Sequence, residues 1–221
     1  MIEKLLEKLQ NLAGTRSAFD PSQLGDPLAL QTNWTPAKGG GSSFRTHKLV
    51  EVNPNRLEFR ASAGALLFYL IFLLVGVGVS FGITYSKLSS GRFSWNMETI
   101  MPLLLGLVFA SIGGGMFFFG TTPIVFDKRE GYFWKGRKDP AELFDKTTLK
   151  NLAKLDEIHA LQLIAEYCRG NKSSFYSYEL NLVLKDGQRI NVVDHGNPAK
   201  LQEDAAALSA FLKKPIWDAI G

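Results

Sequence analysis

Two stretches decide the fold of this chain: residues 61–85 read ASAGALLFYLIFLLVGVGVSFGITY, and residues 100–121 read IMPLLLGLVFASIGGGMFFFGT. Neither stretch contains Asp, Glu, Lys or Arg. A helix that spans a bilayer needs about 20 apolar residues, so each stretch predicts a transmembrane helix. The alternative, a buried helical hairpin in a soluble protein, would need a larger core than 221 residues supply. The sequence therefore predicts a membrane α-helical hairpin with a short polar loop.

The composition outside these stretches is that of ordinary polar protein sequence. The net charge of +4 is small and scattered along the chain, so it does not indicate a nucleic-acid partner. Cys168 is the single cysteine, which excludes an intrachain disulfide and a cysteine metal cluster.

The segment before the β pattern, residues 1–43, divides into two parts. Leucine and isoleucine at positions 2, 5, 6, 9 and 12 share one face of a short amphipathic helix, and Gly14 is placed to end it. From there to Ser43 the sequence is rich in Gly, Pro, Ser and Asn, including Gly39-Gly40-Gly41. This composition predicts a flexible linker with little structure of its own.

Strand patterns flank the helical hairpin on both sides. Alternating residues around Asn53-Pro54-Asn55 predict a β-hairpin over 44–61, and Asp186-Gly187 is a strong turn signal. Residues 141–155 are ambiguous, and 157–167 fits either a helix or a strand; the turn residues at 171–174 favour a strand. Pro198 at a helix start, followed by spaced apolar residues, predicts a C-terminal helix over 198–212. The strands predicted after the hairpin are 123–126, 131–134, 157–167, 175–185 and 188–194.

Seven strands followed by a helix, with motifs such as Ile124–Trp134 and Tyr178–Val193, resemble the bacterial membrane-anchored PH-like domain proteins. The resemblance implies a mainly-β PH-like cytoplasmic domain made of residues 44–61 and 123–221. The transmembrane hairpin, residues 62–122, is then inserted between its second and third strands. Because this fold hosts many binding roles, the resemblance says little about activity.

Lysine and arginine near the predicted spans indicate orientation. Basic residues cluster before the first span and after the second, whereas the loop 86–98 carries only Lys87 and Arg92. The positive-inside rule then places both termini in the cytoplasm, with the loop outside. We therefore expect a multi-pass protein of the cell inner membrane.

Small residues in the two spans predict a helix–helix contact. A spacing of four puts small side chains on one face, where two backbones approach closely. The contact is either within one chain or between subunits. The residues expected on it are Gly76, Ser80, Gly106, Ala110 and Gly114. No charged residue lies inside either span, which argues against a pump or transporter.

Two groups of residues outside the apolar stretches, one aromatic and one basic, are candidate contact sites. An aromatic patch near a hairpin, made of Tyr167, Phe175, Tyr176 and Tyr178, is either domain core or a partner-binding surface. A basic group is expected directly under the inner leaflet, where it either sets topology alone or also contacts anionic lipid headgroups. Its members are Lys128, Arg129, Lys135, Arg137 and Lys138.

The sequence contains no catalytic, cofactor or metal motif that we recognise. Asp194 and His195 are neighbours in a predicted strand, so their side chains point to opposite faces and do not form a catalytic pair. An enzyme is thus disfavoured, and no cofactor is expected. The leading hypothesis is a membrane-tethered binding or scaffold protein that recognises a protein partner. The alternative is an inner-membrane immunity protein that neutralises a toxin.

Overall fold

A computed structural model of the chain describes residues 19–142, 151–170 and 173–220. The amphipathic helix predicted at residues 2–12 lies outside these ranges, as do two residues of the turn predicted at 171–174. The described residues contain four α-helices: α1 (Pro27–Gln31), α2 (Ala63–Ser89), α3 (Met97–Gly120) and α4 (Pro198–Leu212). Short 3-10 helices lie at Pro21–Leu24 and Pro140–Glu142.

Nine strands among the described residues form two sheets. One sheet has the order β1-β2-β3-β4-β5, and the other has the order β8-β7-β6-β9. All neighbouring strands are antiparallel except β6 and β9, which are parallel. The strands are β1 (His47–Asn53), β2 (Arg56–Ala61), β3 (Ile124–Asp127), β4 (Tyr132–Lys135), β5 (Leu152–Lys154), β6 (Ile158–Arg169), β7 (Ser174–Leu184), β8 (Arg189–His195) and β9 (Ile216–Asp218).

The predicted count of seven strands is wrong, because β5 and β9 were missed. Each is only three residues long, too short to show the alternation that marks a strand in sequence. Each is held by its neighbour, β5 by β4 and β9 by β6. Residues 157–167, which fit helix or strand, are in strand β6.

The two apolar helices are long and apolar enough to cross a membrane. Helix α2 has 27 residues and α3 has 24, so they are about 40 and 36 Å long. The Ser62 hydroxyl caps α2 by accepting a hydrogen bond from the Ala65 N–H at 3.1 Å. Asn96 caps α3 in the same way through the Thr99 N–H.

The helices α2 and α3 meet along a seam of small residues. A Cβ on Gly76 would collide with the backbone of Ala110, and one on Gly106 would collide with the Ser80 hydroxyl. The seam continues at Gly113, where a Cβ would meet the Leu73 backbone nitrogen. All of these contacts lie within one chain, between helices that run antiparallel.

The expectation that Gly114 lies in this seam is wrong. The nearest atom to a Cβ built on Gly114 is a methyl group of Leu73 at 4.0 Å, so there is room for a side chain. The contacting positions 106, 110 and 113 are spaced by four and then three residues. That alternation follows the 3.6-residue helical repeat, whereas a constant spacing of four drifts off the face.

The strands before and after the apolar helices lie in one sheet. Strand β2 pairs with β3, with Arg56 opposite Asp127 and Phe59 opposite Ile124. Two antiparallel helices return the chain to its starting side, which makes this pairing geometrically simple. We call the end where Ala61 leads into α2 the helix end of the sandwich, and the opposite end the far end.

The larger of two hydrophobic clusters in the described residues lies between the two sheets and is closed by α4. Phe59 from β2, Phe126 from β3 and Leu180 from β7 are all fully buried in it. From α4, Leu201 and Leu208 are fully buried in the same core. The predicted C-terminal helix is thus present, and its apolar face covers the sandwich.

Candidate functional site

Residues 19–46 form a segment, here called the strap, that runs along the outer face of the β8-β7-β6-β9 sheet. At its start, Asp26 Oδ2 lies 2.7 Å from His159 Nε2 on β6. In its middle, the Trp34 ring lies 5.9 Å from that of Trp217 on β9. Near its end, Arg45 forms an isolated antiparallel β-bridge with His195 on β8. The strap therefore follows the sheet to the helix end of the sandwich.

The prediction of a flexible linker with little structure is wrong for residues 19–43. The carboxylate of Glu179, which is fully buried on β7, accepts the Ala37 N–H at 2.7 Å and the Lys38 N–H at 2.9 Å. Glu166 on β6 accepts the Gly40 and Gly41 N–H groups in the same manner. The glycine run thus supplies backbone donors for carboxylates more than 120 residues away.

Gly41 shows why glycine is required in this part of the strap. A Cβ at that position would collide with the Ser177 side chain, whose Oγ accepts the neighbouring Ser42 N–H at 2.9 Å. The Gly39-Gly40-Gly41 run is the sequence feature that could have indicated this docking. Its composition, however, suits both a free linker and a close approach of two backbones.

We expect Glu179→Gln to loosen the strap. A glutamine has one acceptor oxygen, and its NH2 group would face one of the two strap N–H donors. Losing a hydrogen bond to a carboxylate costs about 2 kcal/mol, which corresponds to roughly 30-fold more frequent local opening. Limited trypsin cleavage after Lys38, followed by mass spectrometry, should accelerate by that order. Glu203→Gln, on the exposed face of α4, is the matched control. Equal cleavage rates in both variants would contradict this role of Glu179.

A cavity of about 410 Å³ lies at the helix end of the sandwich. The strap, the strands β1, β3, β4 and β8, and the adjoining ends of α2 and α3 all contribute to its walls. Phe119 in the last turn of α3 exposes 75% of its surface, so the wall continues onto the outside of the apolar helices. The cavity is lined by Lys38, Gly40, Gly41, Ser42, Thr46, His47, Tyr69, Phe119, Thr122, Ile124, Lys135, Asn191, Val192, Val193 and Asp194.

The charged groups of the cavity perturb one another. Burial and repulsion from Lys38 lower the pKa of Lys135 to about 8, partly opposed by Asp194. Burial raises the pKa of Asp194, although a hydrogen bond from Asn191 acts in the opposite direction. Burial, with Lys135 nearby, lowers the pKa of His47 to about 4. The cavity therefore places a His47 imidazole that is neutral at neutral pH beside two lysines and one aspartate.

The Lys135 ammonium forms no hydrogen bond or ion pair with a residue in the described ranges. Its charge is partly removed from water, which is unfavourable without a close partner. An anion in the cavity would supply that partner. Lys135 belongs to the basic group that the sequence predicts as a lipid contact. Lys38, His47 and Asp194 lie in three other segments and were not predicted as site residues.

The predicted basic group is not one surface. Lys128 and Arg129 lie in the β3–β4 turn at the far end, where the Lys128 N–H donates to the Asn55 carbonyl. The antiparallel hairpin places Lys135 at the helix end, opposite Ile124, about 13 Å away along the strands. Lys128 and Arg129 therefore do not share one surface with the other three residues of the basic group.

The two remaining basic residues lie at the helix end, outside the cavity. Arg137 donates to the Phe118 carbonyl at 2.6 Å and to the hydroxyls of Thr121 and Thr122. It thereby satisfies the C-terminal turn of α3, where a positive charge is favourable. Lys138 is exposed.

The predicted aromatic patch divides between core and surface. Tyr178 is 9% exposed and belongs to the hydrophobic core, which is the first of the two alternatives predicted for the patch. Phe175 is half-buried. Tyr176 is 39% exposed and its ring lies 5.1 Å from that of Tyr167, which is 55% exposed. These two tyrosines form an exposed pair on the β6–β7 hairpin.

Comparisons with protein-family models, with curated proteins and with solved structures gave no match for this chain. The strap, the cavity and the tyrosine pair are therefore the features from which its function is inferred.

Proposed function

We propose that this chain is a membrane-tethered binding or scaffold protein that recognises a protein partner through a cytoplasmic β-domain. In this proposal α2 and α3 span the inner membrane and the sandwich lies against its cytoplasmic face. The observation that carries it is the direct junction between sheet and helices. Strand β2 ends at Ala61 and α2 begins at Ala63, while β3 begins four residues after α3 ends. The sandwich is therefore held at the bilayer without a linker.

The exposed surfaces of α2 and α3 support insertion in a bilayer. Leu67, Leu74 and Phe81 on α2 are each more than 60% exposed, and large apolar side chains in this number are unfavourable in water. The loop between the helices, residues 90–96, carries one basic residue, Arg92. The segments that join the helices to the sandwich carry more basic residues than this loop, which favours cytoplasmic termini.

The order of the longer strands fits the relation to PH-like domains, whereas β5 and β9 depart from the seven strands on which that relation was based. Strands β1 to β5 form one meander, β6 to β8 form a second, and α4 closes the core after them. The apolar hairpin would then be an insertion between the second and third strands of the domain.

The surface that we assign to the partner is the pair Tyr167 and Tyr176. Tyr178 on β7 is opposite His195 on β8, and His195 bridges to Arg45, whose carbonyl accepts from the cap of α2, Ser62. Tyr176 precedes Tyr178 by two residues on β7. It therefore lies about 7 Å closer to the bilayer than the Tyr178–His195 pair. Exposed tyrosines are enriched in protein interfaces because a rigid ring buries a large area at low entropic cost.

Labelling and cross-linking in intact cells test this proposal. Cysteine at Ser90 should react with an impermeant maleimide, whereas cysteine at exposed Glu203 should react only after permeabilisation. A photoreactive residue in place of Tyr167 should cross-link a protein that the same residue at Glu203 does not. A toxin in that adduct would identify the protein as an immunity protein. Labelling of Glu203→Cys from outside would overturn the orientation, and adducts with lipid alone would overturn the partner surface.

A further inference from the structure

We propose that the cavity at the helix end of the sandwich binds the phosphodiester headgroup of an anionic phospholipid from the cytoplasmic leaflet. The inference rests on the proposed function, because it takes α2 and α3 to lie in a bilayer. The lipid would be a second ligand beside the protein partner.

The charges of the cavity match a headgroup with one negative charge. Two ammonium groups, Lys38 and Lys135, face one carboxylate, Asp194, and one Asp194 oxygen already accepts a hydrogen bond from Asn191 at 2.9 Å. His47 is neutral at physiological pH. Counted as formal charges, two lysines and one aspartate leave the lining with one excess positive charge. A phosphodiester would give the Lys135 ammonium the hydrogen-bond acceptor that no described residue supplies.

The walls of the cavity match the two parts of a phospholipid. Its polar residues come from the sandwich and the strap, whereas Tyr69 and Phe119 come from the apolar helices. Phe119 is largely exposed on the helix surface, which leaves a path for acyl chains along α3. The volume of about 410 Å³ lies within the range of small-molecule sites.

The strap determines where Lys38 is placed. The Lys38 N–H donates to the buried Glu179 carboxylate. The N–H groups of residues 40–42 donate to Glu166 and to the Ser177 hydroxyl. One wall of the site therefore comes from a segment that must dock before the cavity is complete. Loosening the strap should therefore also weaken lipid binding.

Native mass spectrometry of the full-length protein in detergent tests the proposal, with phosphatidylglycerol and phosphatidylcholine as probes. Wild type should retain one phosphatidylglycerol at concentrations where phosphatidylcholine is not retained. Lys135→Gln and Lys38→Gln should each weaken this binding roughly tenfold or more, since each removes one charge-assisted contact. Lys135→Gln removes an unpaired charge, so it should fold; Lys38→Gln, on the exposed strap, provides an independent second variant.

Lys138→Gln is the matched control, because it removes the same charge from an exposed position at the same end of the sandwich. It should change phosphatidylglycerol binding less than twofold. Equal losses in all three variants, or equal retention of both lipids by wild type, would overturn the site. Soluble sn-glycerol 3-phosphate that displaces the lipid at equal concentration would reassign the cavity to free phosphate esters. Cysteine labelling at Ser90 separates the two proposals: correct labelling with no lipid binding overturns only the cavity assignment.

Discussion

Phe59→Ala should lower the free energy of unfolding of the β-domain by about 4 kcal/mol, the usual cost of emptying a fully buried phenylalanine site. Phe59 has no exposed surface. Its ring centroid lies 6.4 Å from that of Phe126, in an edge-to-face arrangement. Phe59 precedes the apolar helices and Phe126 follows them, so this loss measures how strongly the two flanks share one core.

Tryptophan fluorescence of the full-length protein in detergent can report unfolding, because Trp134 and Trp217 in the β-domain are only 1% and 2% exposed. Val52→Ala, at a β1 position that is 42% exposed, is the control and should cost less than about 1 kcal/mol. The double variant Phe59→Ala/Phe126→Ala should lose less than the sum of the single losses, because the two rings are in contact. If Phe59→Ala were as mild as Val52→Ala, residues 44–61 would not belong to the core of the β-domain.

The second large effect is expected from Gly113→Leu in α3. A Cβ at Gly113 would meet the backbone of α2 at Leu73, and a backbone atom cannot rotate away as a side chain can. The helices must separate, and the lost packing should cost about 3 kcal/mol. Thermal unfolding followed by far-ultraviolet circular dichroism in detergent measures the loss.

Two neighbouring glycines provide matched controls for this substitution. A Cβ on Gly115 meets nothing within 4 Å, and one on Gly114 touches only a Leu73 methyl group at 4.0 Å. Gly115→Leu should be close to neutral, and Gly114→Leu should cost clearly less than Gly113→Leu. If Gly114→Leu were the most damaging of the three, the constant four-residue spacing expected from the sequence would be right and the seam described here wrong.

The parts of this protein that were predictable from sequence are those decided by nearby residues. A charge-free run longer than 20 residues has one economical solution, a helix that satisfies its own backbone. The predicted bounds of 61–85 and 100–121 differ from α2 and α3 by at most four residues, because the caps Ser62 and Asn96 set the actual starts. The strands β1 and β2 follow from alternation around a turn of Pro and Asn, which is equally local.

The strap shows where local reasoning fails. Gly39-Gly40-Gly41 has the composition of a linker, and nothing within ten residues suggests otherwise. Its order comes from Glu166 and Glu179, which reach it only after β6 and β7 have paired. Strands β5 and β9 were missed for the same reason, since their extended conformation is stabilised by neighbours and not by their own three residues.

The cavity is likewise a product of tertiary structure. Lys38, His47, Lys135 and Asp194 lie in four separate parts of the chain, and none is in a motif that marks a site. They meet because β2 and β3 pair across the apolar hairpin and because the strap docks on the second sheet. The sequence by itself determined the two apolar helices, most of the strands and the last helix, since hydrophobic periodicity acts over a few residues. The seam register, the docked strap and the charged cavity were decided only by the tertiary structure, because each depends on contacts between residues far apart in the chain.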